Sequence, residues 1–386
     1  MNRNLILGAL SLFTWGLGEG FFIYFQPLYL QEWGADPVMI GSILGAVGLA
    51  LALAQIPTGI LVDKFNPRIL MWISWILGLI CAWIMTLAQS LPVFITGLLL
   101  YSVSSFGIIP MNVYITNVRG KLSVGRALTL VSGMYSLGAV IGPVIGGSIA
   151  DKYGLHAVYF IAACIFIVST LILLFIQNIK EVHPSDYRDN RPYKSILRNP
   201  RFLVYLGIIF FTLLVLYLPQ PLTPNFLQNQ QHFSRSTIGL LGAFGSLGNA
   251  LAQIVLGNLS PFLGLMLGQV WVAIFAGIFL LGNSPVWFGL GYFFFGGYRL
   301  CRSMILAYAR PMAHPSQTGL LFGTLETVSA LSIIVAPVIA GFLYNHDPIS
   351  MYRVAFIAII VMLIINLLFL RKLTREPEES PIMEES

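Results

Sequence analysis

Apolar runs of about 20 residues or more, each long enough to cross roughly 30 Å of hydrocarbon as a helix, recur along this whole sequence. Inside a bilayer no water satisfies backbone N–H and C=O groups, so only helices and closed barrels can span it. Barrel strands would read as segments of about ten residues with alternating polarity, and that pattern is absent. The runs fall at residues 5–30, 38–62, 69–89, 92–116, 123–150 and 155–177, then at 201–227, 236–259, 262–283, 285–309, 316–344 and 351–370. Twelve helical crossings are therefore expected, in an all-α integral membrane protein. Only 9% of the residues are charged and 57% are hydrophobic, which excludes a soluble multidomain protein. The first run lacks a small-residue cleavage site and reads as a retained span.

Charge placement gives the expected orientation. Arg3, Lys64, Arg68, Arg119, Lys121, Arg126, Lys180, Arg188, Arg191, Lys194, Arg198, Arg201, Arg310, Arg371, Lys372 and Arg375 fall on one side of this layout, and only Lys152, Arg235 and Arg353 on the other. By the positive-inside rule both termini are cytoplasmic, in a cell membrane. The net charge of +6 follows from this asymmetry and is not read as nucleic-acid binding. Cys81, Cys164 and Cys301 lie in different spans and the five histidines are scattered over loops, so neither a metal site nor a cofactor is expected. Residues 1–177 and 201–371 read as two six-helix bundles. Residues 178–200 read as a cytoplasmic linker and 372–386 as an acidic, disordered tail.

The two bundles repeat each other. "ALAQIPTG" from Ala52 returns as "ALAQIVLG" from Ala250, "GPVIGG" from Gly142 as "APVIAG" from Ala336, "VYFIA" from Val158 as "VAFIA" from Val354, and "QPL" from Gln26 again from Gln220. Each pair is six crossings apart, so the copies point the same way. "GILVDKF" from Gly59 resembles "GSIADKY" from Gly147, three crossings on and therefore inverted. Two pseudo-symmetric halves built from inverted three-helix units form a transporter architecture.

The stretch "GILVDKFNPRIL", Gly59 to Leu70, resembles the cytoplasmic loop 2–3 signature of the major facilitator superfamily, with Asn66 and Pro67 in place of the usual glycine and basic residue. Its positive charge falls on Lys64 and Arg68. "GAVIGPVIGG", Gly138 to Gly147, is similar to the span 5 motif of the drug/proton antiporters in that superfamily. The resemblance covers residues 5–371. It implies that spans 1, 4, 7 and 10 line a central cavity, that spans 2, 5, 8 and 11 form the moving interface, and that Asp63 meets the start of span 11 near Ser316 to Thr318. A carboxylate there would be favoured by the helix macrodipole. Gly138, Gly142 and Gly146, four apart, give span 5 a smooth stripe for a neighbouring backbone, next to Gly147, and Pro143 favours a bend.

The halves differ in their deep charges. Glu19 lies about 21 Å along span 1, in the middle of the membrane, where the repeat places Leu213. Arg299 and Arg302 share one face of span 10 with Tyr292 and Phe295, opposite apolar positions near Ile108 and Met111 in span 4. Glu326 in span 11 matches Ser132. Each such residue costs about 2.5–3.5 kcal/mol to insert, so each needs a partner or water. With the implied architecture, Glu19, Arg299 and Arg302 surround the transported molecule, Gln26 joins them, and Tyr101, Ser105, Asn112 and Thr116 form a polar stripe down span 4. The alternative is an ion pair of Arg299 or Arg302 with Glu326 that holds two helices together. Where the antiporters carry a span 4 arginine, this chain has Tyr101, which suggests that the cationic function sits in span 10.

The expectation is a monomeric secondary transporter working by alternating access, exporting a small amphipathic compound against protons carried by Glu19, with Glu326 the second candidate. Its partners are then a small-molecule substrate, the proton and the lipid bilayer, with no nucleic acid. The runner-up is uptake or exchange of an organic anion held by the two arginines. No nucleophile–base pair or metal cluster shares one depth, so an embedded enzyme is not expected; a non-transporting sensor would show no flux. The orientation is checked by thiol labelling in a cysteine-free background. A cysteine at Ser185 should react with impermeant reagents only from the cytoplasm and one at His346 only from outside, and reversed labelling would refute the topology.

Overall fold

The computed structural model describes residues 3–62, 65–122, 124–178, 199–312 and 318–374, and all of their regular structure is helical. The first half comprises α1 (Arg3–Phe22), α2 (Gln26–Glu32), α3 (Pro37–Val62), α4 (Pro67–Leu87), α5 (Leu91–Ser104), α6 (Ile108–Val118), α7 (Val124–Tyr153) and α8 (Leu155–Leu174). The second comprises α9 (Pro200–Tyr217), α10 (Thr223–Asn229), α11 (Arg235–Leu256), α12 (Pro261–Leu281), α13 (Pro285–Phe294), α14 (Gly297–Ala309), α15 (Thr318–His346) and α16 (Ser350–Thr374). Eleven segments are long and apolar enough to cross a bilayer. The twelfth crossing is α13 and α14 together, too short singly at 10 and 13 residues.

Helix starts follow local chemistry. Proline occupies the first or second position of α2, α4, α5, α9, α10, α12 and α13, where its missing N–H removes no helical bond. The same Asn-Pro-Arg phrase opens α4 and α9: Asn66 accepts from the Arg68 N–H at 2.9 Å and Asn199 from the Arg201 N–H at 3.0 Å. The departure from the loop 2–3 signature at Asn66 and Pro67 is thus a helix cap.

Four runs that read as single helices are interrupted. α1 gives way to α2 just before "QPL", and α9 to α10 across Pro219 and Pro221, because Pro27, Pro219 and Pro221 have no N–H to donate to the carbonyl four residues back. Between α5 and α6 the helix tightens to a 3₁₀ turn at Ser105–Gly107, three residues before Pro110, which cannot donate to the Phe106 carbonyl. Between α13 and α14 the break falls at Phe295 and Gly296, where Gly296 packs against the backbone of Gly248 in α11. By contrast α7 continues helical through Pro143, since neighbouring helices support it on both sides.

The halves meet through α3 with α15 and α7 with α11. The closest approaches place Gly41 on the Pro337 carbonyl and Gly239 on the Pro143 carbonyl, positions where a Cβ would collide with backbone. Both lie at the end of the molecule away from the chain termini. Toward the termini, Gly133 in α7 and Gly323 in α15 meet no neighbouring atom, so the close backbone approach seen at Gly41 and Gly239 is not repeated at these positions.

The sealed end carries a polar lock. Gln31 and Asn225, 194 positions apart like the two "QPL" copies, meet across the pseudo-two-fold: Asn225 Nδ2 donates to Gln31 Oε1 at 2.6 Å and to the Pro27 carbonyl at 3.2 Å. Asn229 Nδ2 donates to the same Gln31 oxygen at 3.0 Å. Asp151, in the "GSIADKY" phrase at the end of α7, caps α11 of the other half. Its carboxylate accepts the Arg235 N–H at 2.8 Å and the Ser236 N–H at 2.9 Å, and also the Ser236 hydroxyl. Arg235 in turn pairs with Glu32 and donates to the Ala150 carbonyl at 3.1 Å. Unpaired N–H groups and the macrodipole make a helix start a good carboxylate acceptor site.

Asp63 and Lys64, residues 316–317, most of the linker and the acidic tail lie outside the described residues. Removing the Asp151 cap is expected to weaken closure of the sealed end by about 1 kcal/mol, roughly a fivefold change in population. Spin labels at Tyr153 and His346, both exposed at that end, should report a longer second distance in Asp151→Ala; an unchanged distribution would refute the lock.

Candidate functional site

The site is built on α1. "GLGEG", Gly16 to Gly20, presents small residues to α7, so that a Cβ at Gly16 would strike the Tyr135 carbonyl and one at Gly20 would lie 3.2 Å from the Cα atoms of Ala139 and Gly142. The close approach lets Glu19 reach across: Tyr135 donates its hydroxyl to Glu19 Oε2 at 2.7 Å. One turn further on, at the α1–α2 break, Tyr24 lies over Gly242 of α11 and its hydroxyl is 3.2 Å from Ser246 Oγ. Tyr24 therefore bridges the halves on the side of the sealed end, and its ring meets Tyr292 edge-on at 6.5 Å.

The opposite wall comes from the interrupted crossing. The break before α14 places Arg299 beside the rings of Phe295 and Tyr298, which stack at 5.8 Å, with Tyr217 of α9 at 5.3 Å from Tyr298. The exposed Arg299 guanidinium acts electrostatically on Glu19, Tyr24, Tyr135 and Tyr217, groups from both halves, and no carboxylate pairs with it among the described residues. Arg302, one turn along, pairs with Glu326 of α15 within the second half. The Tyr292 and Tyr298 hydroxyls are buried without a hydrogen-bond partner among the described residues.

Other positions singled out in the sequence fall elsewhere. Tyr101 is 5% exposed and packs among Trp15, Phe22 and Phe166 in the aromatic core of the first half. Ser105 sits in the 3₁₀ turn and Gln26 is buried at the start of α2. Asn112 is exposed, and its carbonyl accepts from Thr116 at 2.8 Å. Gly138, Gly142 and Gly146 pack on α1 within their own half, whereas Gly147 meets Arg235 and Ser236 across the interface. Gly59 lies in α3, and the Arg68 guanidinium covers the Trp72 ring at 4.1 Å. The partners missed from sequence are Tyr24, Tyr135, Tyr217 and Ser246. Only the glycine cluster around Glu19 hinted that a neighbouring helix would supply one.

The family model described as Major Facilitator Superfamily matches residues 6–296 and 207–386. The chain belongs to the major facilitator superfamily. It is thus a membrane transporter rather than an enzyme. Over 307 residues this superfamily member is 25% identical to the uncharacterized MFS-type transporter MJ1560 of Methanocaldococcus jannaschii, covering 74% of this chain and 75% of that one. Over 216 residues it is 31% identical to the multidrug resistance protein MdtG of Escherichia coli strain SMS-3-5, covering 53% of this chain and 52% of that protein. The chain therefore spans about half the length of the MdtG relatives that it matches. Among solved structures, it is similar in fold to the nucleoside transporter NupG, with a TM-score of 0.80, 14% identity, and coverage of 97% of this chain and 100% of that one. A bacterial homologue of the human lysosomal transporter Spinster, inward-facing and occupied, gives 0.72 at 17% identity, covering 96% of each chain.

The Arg302–Glu326 pair is half-exposed, at 38% and 41%, so its coupling should be modest, on the order of 0.5–1 kcal/mol. Arg302→Ala and Glu326→Ala should each lower the melting temperature, and the double variant should recover part of the loss. Strict additivity of the two losses would show that the pair contributes nothing.

Proposed function

We propose that this superfamily member is a cell-membrane exporter that works as a monomer by alternating access and exchanges a small amphipathic compound for protons. In this reading both termini are cytoplasmic, the sealed end faces outward, and the polar lock holds the inward-open state. Glu19 is the proton carrier. One observation carries this assignment: among the described residues Glu19 has one hydrogen-bond partner, the neutral Tyr135, whereas Glu326 is already neutralised by Arg302. Such a carboxyl can exchange a proton for a substrate without first breaking an ion pair. Similarity to proteins named for multidrug resistance supports export.

A second reading, import or exchange of an organic anion, is favoured by the unpaired Arg299. Arg302 contributes less to it than the sequence suggested, because its charge is matched by Glu326.

The two readings separate in proteoliposomes. Glu19→Gln should retain counterflow at saturating substrate and lose accumulation driven by a pH gradient, by about 1.4 kcal/mol for every tenfold in the gradient that it no longer uses. Gradient-driven accumulation that persists in Glu19→Gln would remove this residue from the coupling step.

A further inference from the structure

The central site offers two opposite charges on opposite halves, and among the described residues neither forms an ion pair. Glu19 on α1 accepts one hydrogen bond, from the neutral Tyr135 hydroxyl. Arg299 on α14 has no carboxylate bound to it among the described residues, although its guanidinium acts on Glu19 and on the phenols around it. The second arginine and the second glutamate cancel each other. A monovalent cation bound at Glu19 would leave Arg299 uncompensated when the halves close over it. A monovalent anion bound at Arg299 would leave Glu19 uncompensated. Enclosing one unpaired charge away from water is expensive, whereas a ligand with both charges satisfies both walls and ties the halves together. The half-buried rings of Tyr24, Tyr217 and Phe295 belong to the same two walls: Tyr24 lies one turn beyond Glu19, and Tyr217 and Phe295 flank the Tyr298 ring beside Arg299 in sequence. Such a surface suits a flat apolar body with a polar edge.

We propose that the substrate is an amphipathic zwitterion with a planar ring, its cationic group on Glu19 and its anionic group on Arg299. The proposal rests on the reading of Glu19 and Arg299 as the two walls of the transport site. In the exchange cycle a proton replaces only the cationic end at Glu19. One zwitterion leaving for one proton entering moves one net positive charge inward per turnover, whereas a monocation exchanged for one proton moves none. Zwitterion transport by this protein is therefore driven by membrane potential as well as by pH.

The test uses two ring zwitterions, L-phenylalanine with adjacent charges and 4-(aminomethyl)benzoate with charges at opposite ends of the ring. Benzylamine and benzoate serve as matched single ions. Binding is read on purified full-length protein by thermal shift and calorimetry, and exchange in proteoliposomes with and without a valinomycin-clamped potassium potential. At least one zwitterion should bind about tenfold more tightly than either single ion, a difference of about 1.4 kcal/mol. Arg299→Gln should reduce it to the level of benzylamine, Glu19→Gln to the level of benzoate, and Arg299→Lys should keep the preference. An inside-negative potential, the sign that draws positive charge inward, should speed zwitterion export. A single ion that binds as tightly as the better zwitterion, an Arg299→Gln variant that folds and keeps the zwitterion preference, or the binding of neither zwitterion overturns the proposal. Loss of pH coupling at Glu19 is read separately, from gradient-driven accumulation, so a failure of the exchange mechanism and a failure of the substrate class give different results.

Discussion

Hydrocarbon provides no hydrogen-bond partner for a peptide group, and the rest of this structure follows from where that rule is relaxed. Long apolar stretches become helices because only a helix satisfies its own backbone. Departures occur in four crossings, at the α1–α2 and α9–α10 turns, at Ser105–Gly107 and at Phe295–Gly296. Three of them are packed against other helices: Tyr24 against Gly242, Gly107 against Ser74 and Trp75, Gly296 against Gly248. Interruptions that would be unaffordable on a lipid-facing surface are sustained between helices, and the first and last of them carry the groups that face the other half.

The deep charges obey the same accounting in different ways. Arg302 and Glu326 solve their problem internally, and so stiffen one half. Glu19 takes a phenol as partner. Arg299 takes no carboxylate and stays exposed. The asymmetry between these solutions is what the proposed function of Glu19 and Arg299 builds on. Elsewhere a buried amide finds its acceptors within one half, as where Asn366 donates to Thr212 and Gln269 at 3.0 and 2.9 Å.

Much of this was legible in the sequence, and the reasons are physical. Span number followed from run length, because the bilayer fixes the length of a crossing. The internal repeat followed from phrases such as "QPL", whose copies lie beside equivalent helix breaks. Glu19 and Arg299 stood out because charges are rare in apolar runs. The breaks themselves did not stand out, since glycine and proline are common in membrane helices and α7 stays helical through its own proline. Nor did Tyr135 and Tyr24, two of 16 tyrosines with no feature of their own; their role depends on which helix lies opposite. Tyr101 could be read only as a polar atom at cavity spacing; that its ring packs among Trp15 and Phe166 depends on which helices lie beside it.

The cap that Asp151 places on α11 has a consequence for how this protein can change over time. The donors are main-chain N–H groups of Arg235 and Ser236, which every residue except proline supplies. Drift at those two positions leaves the backbone half of the contact intact and removes only what the Ser236 hydroxyl and the Arg235 guanidinium add. A lineage could retune how readily the gate opens through position 151 alone, leaving the chemistry of the transport site untouched.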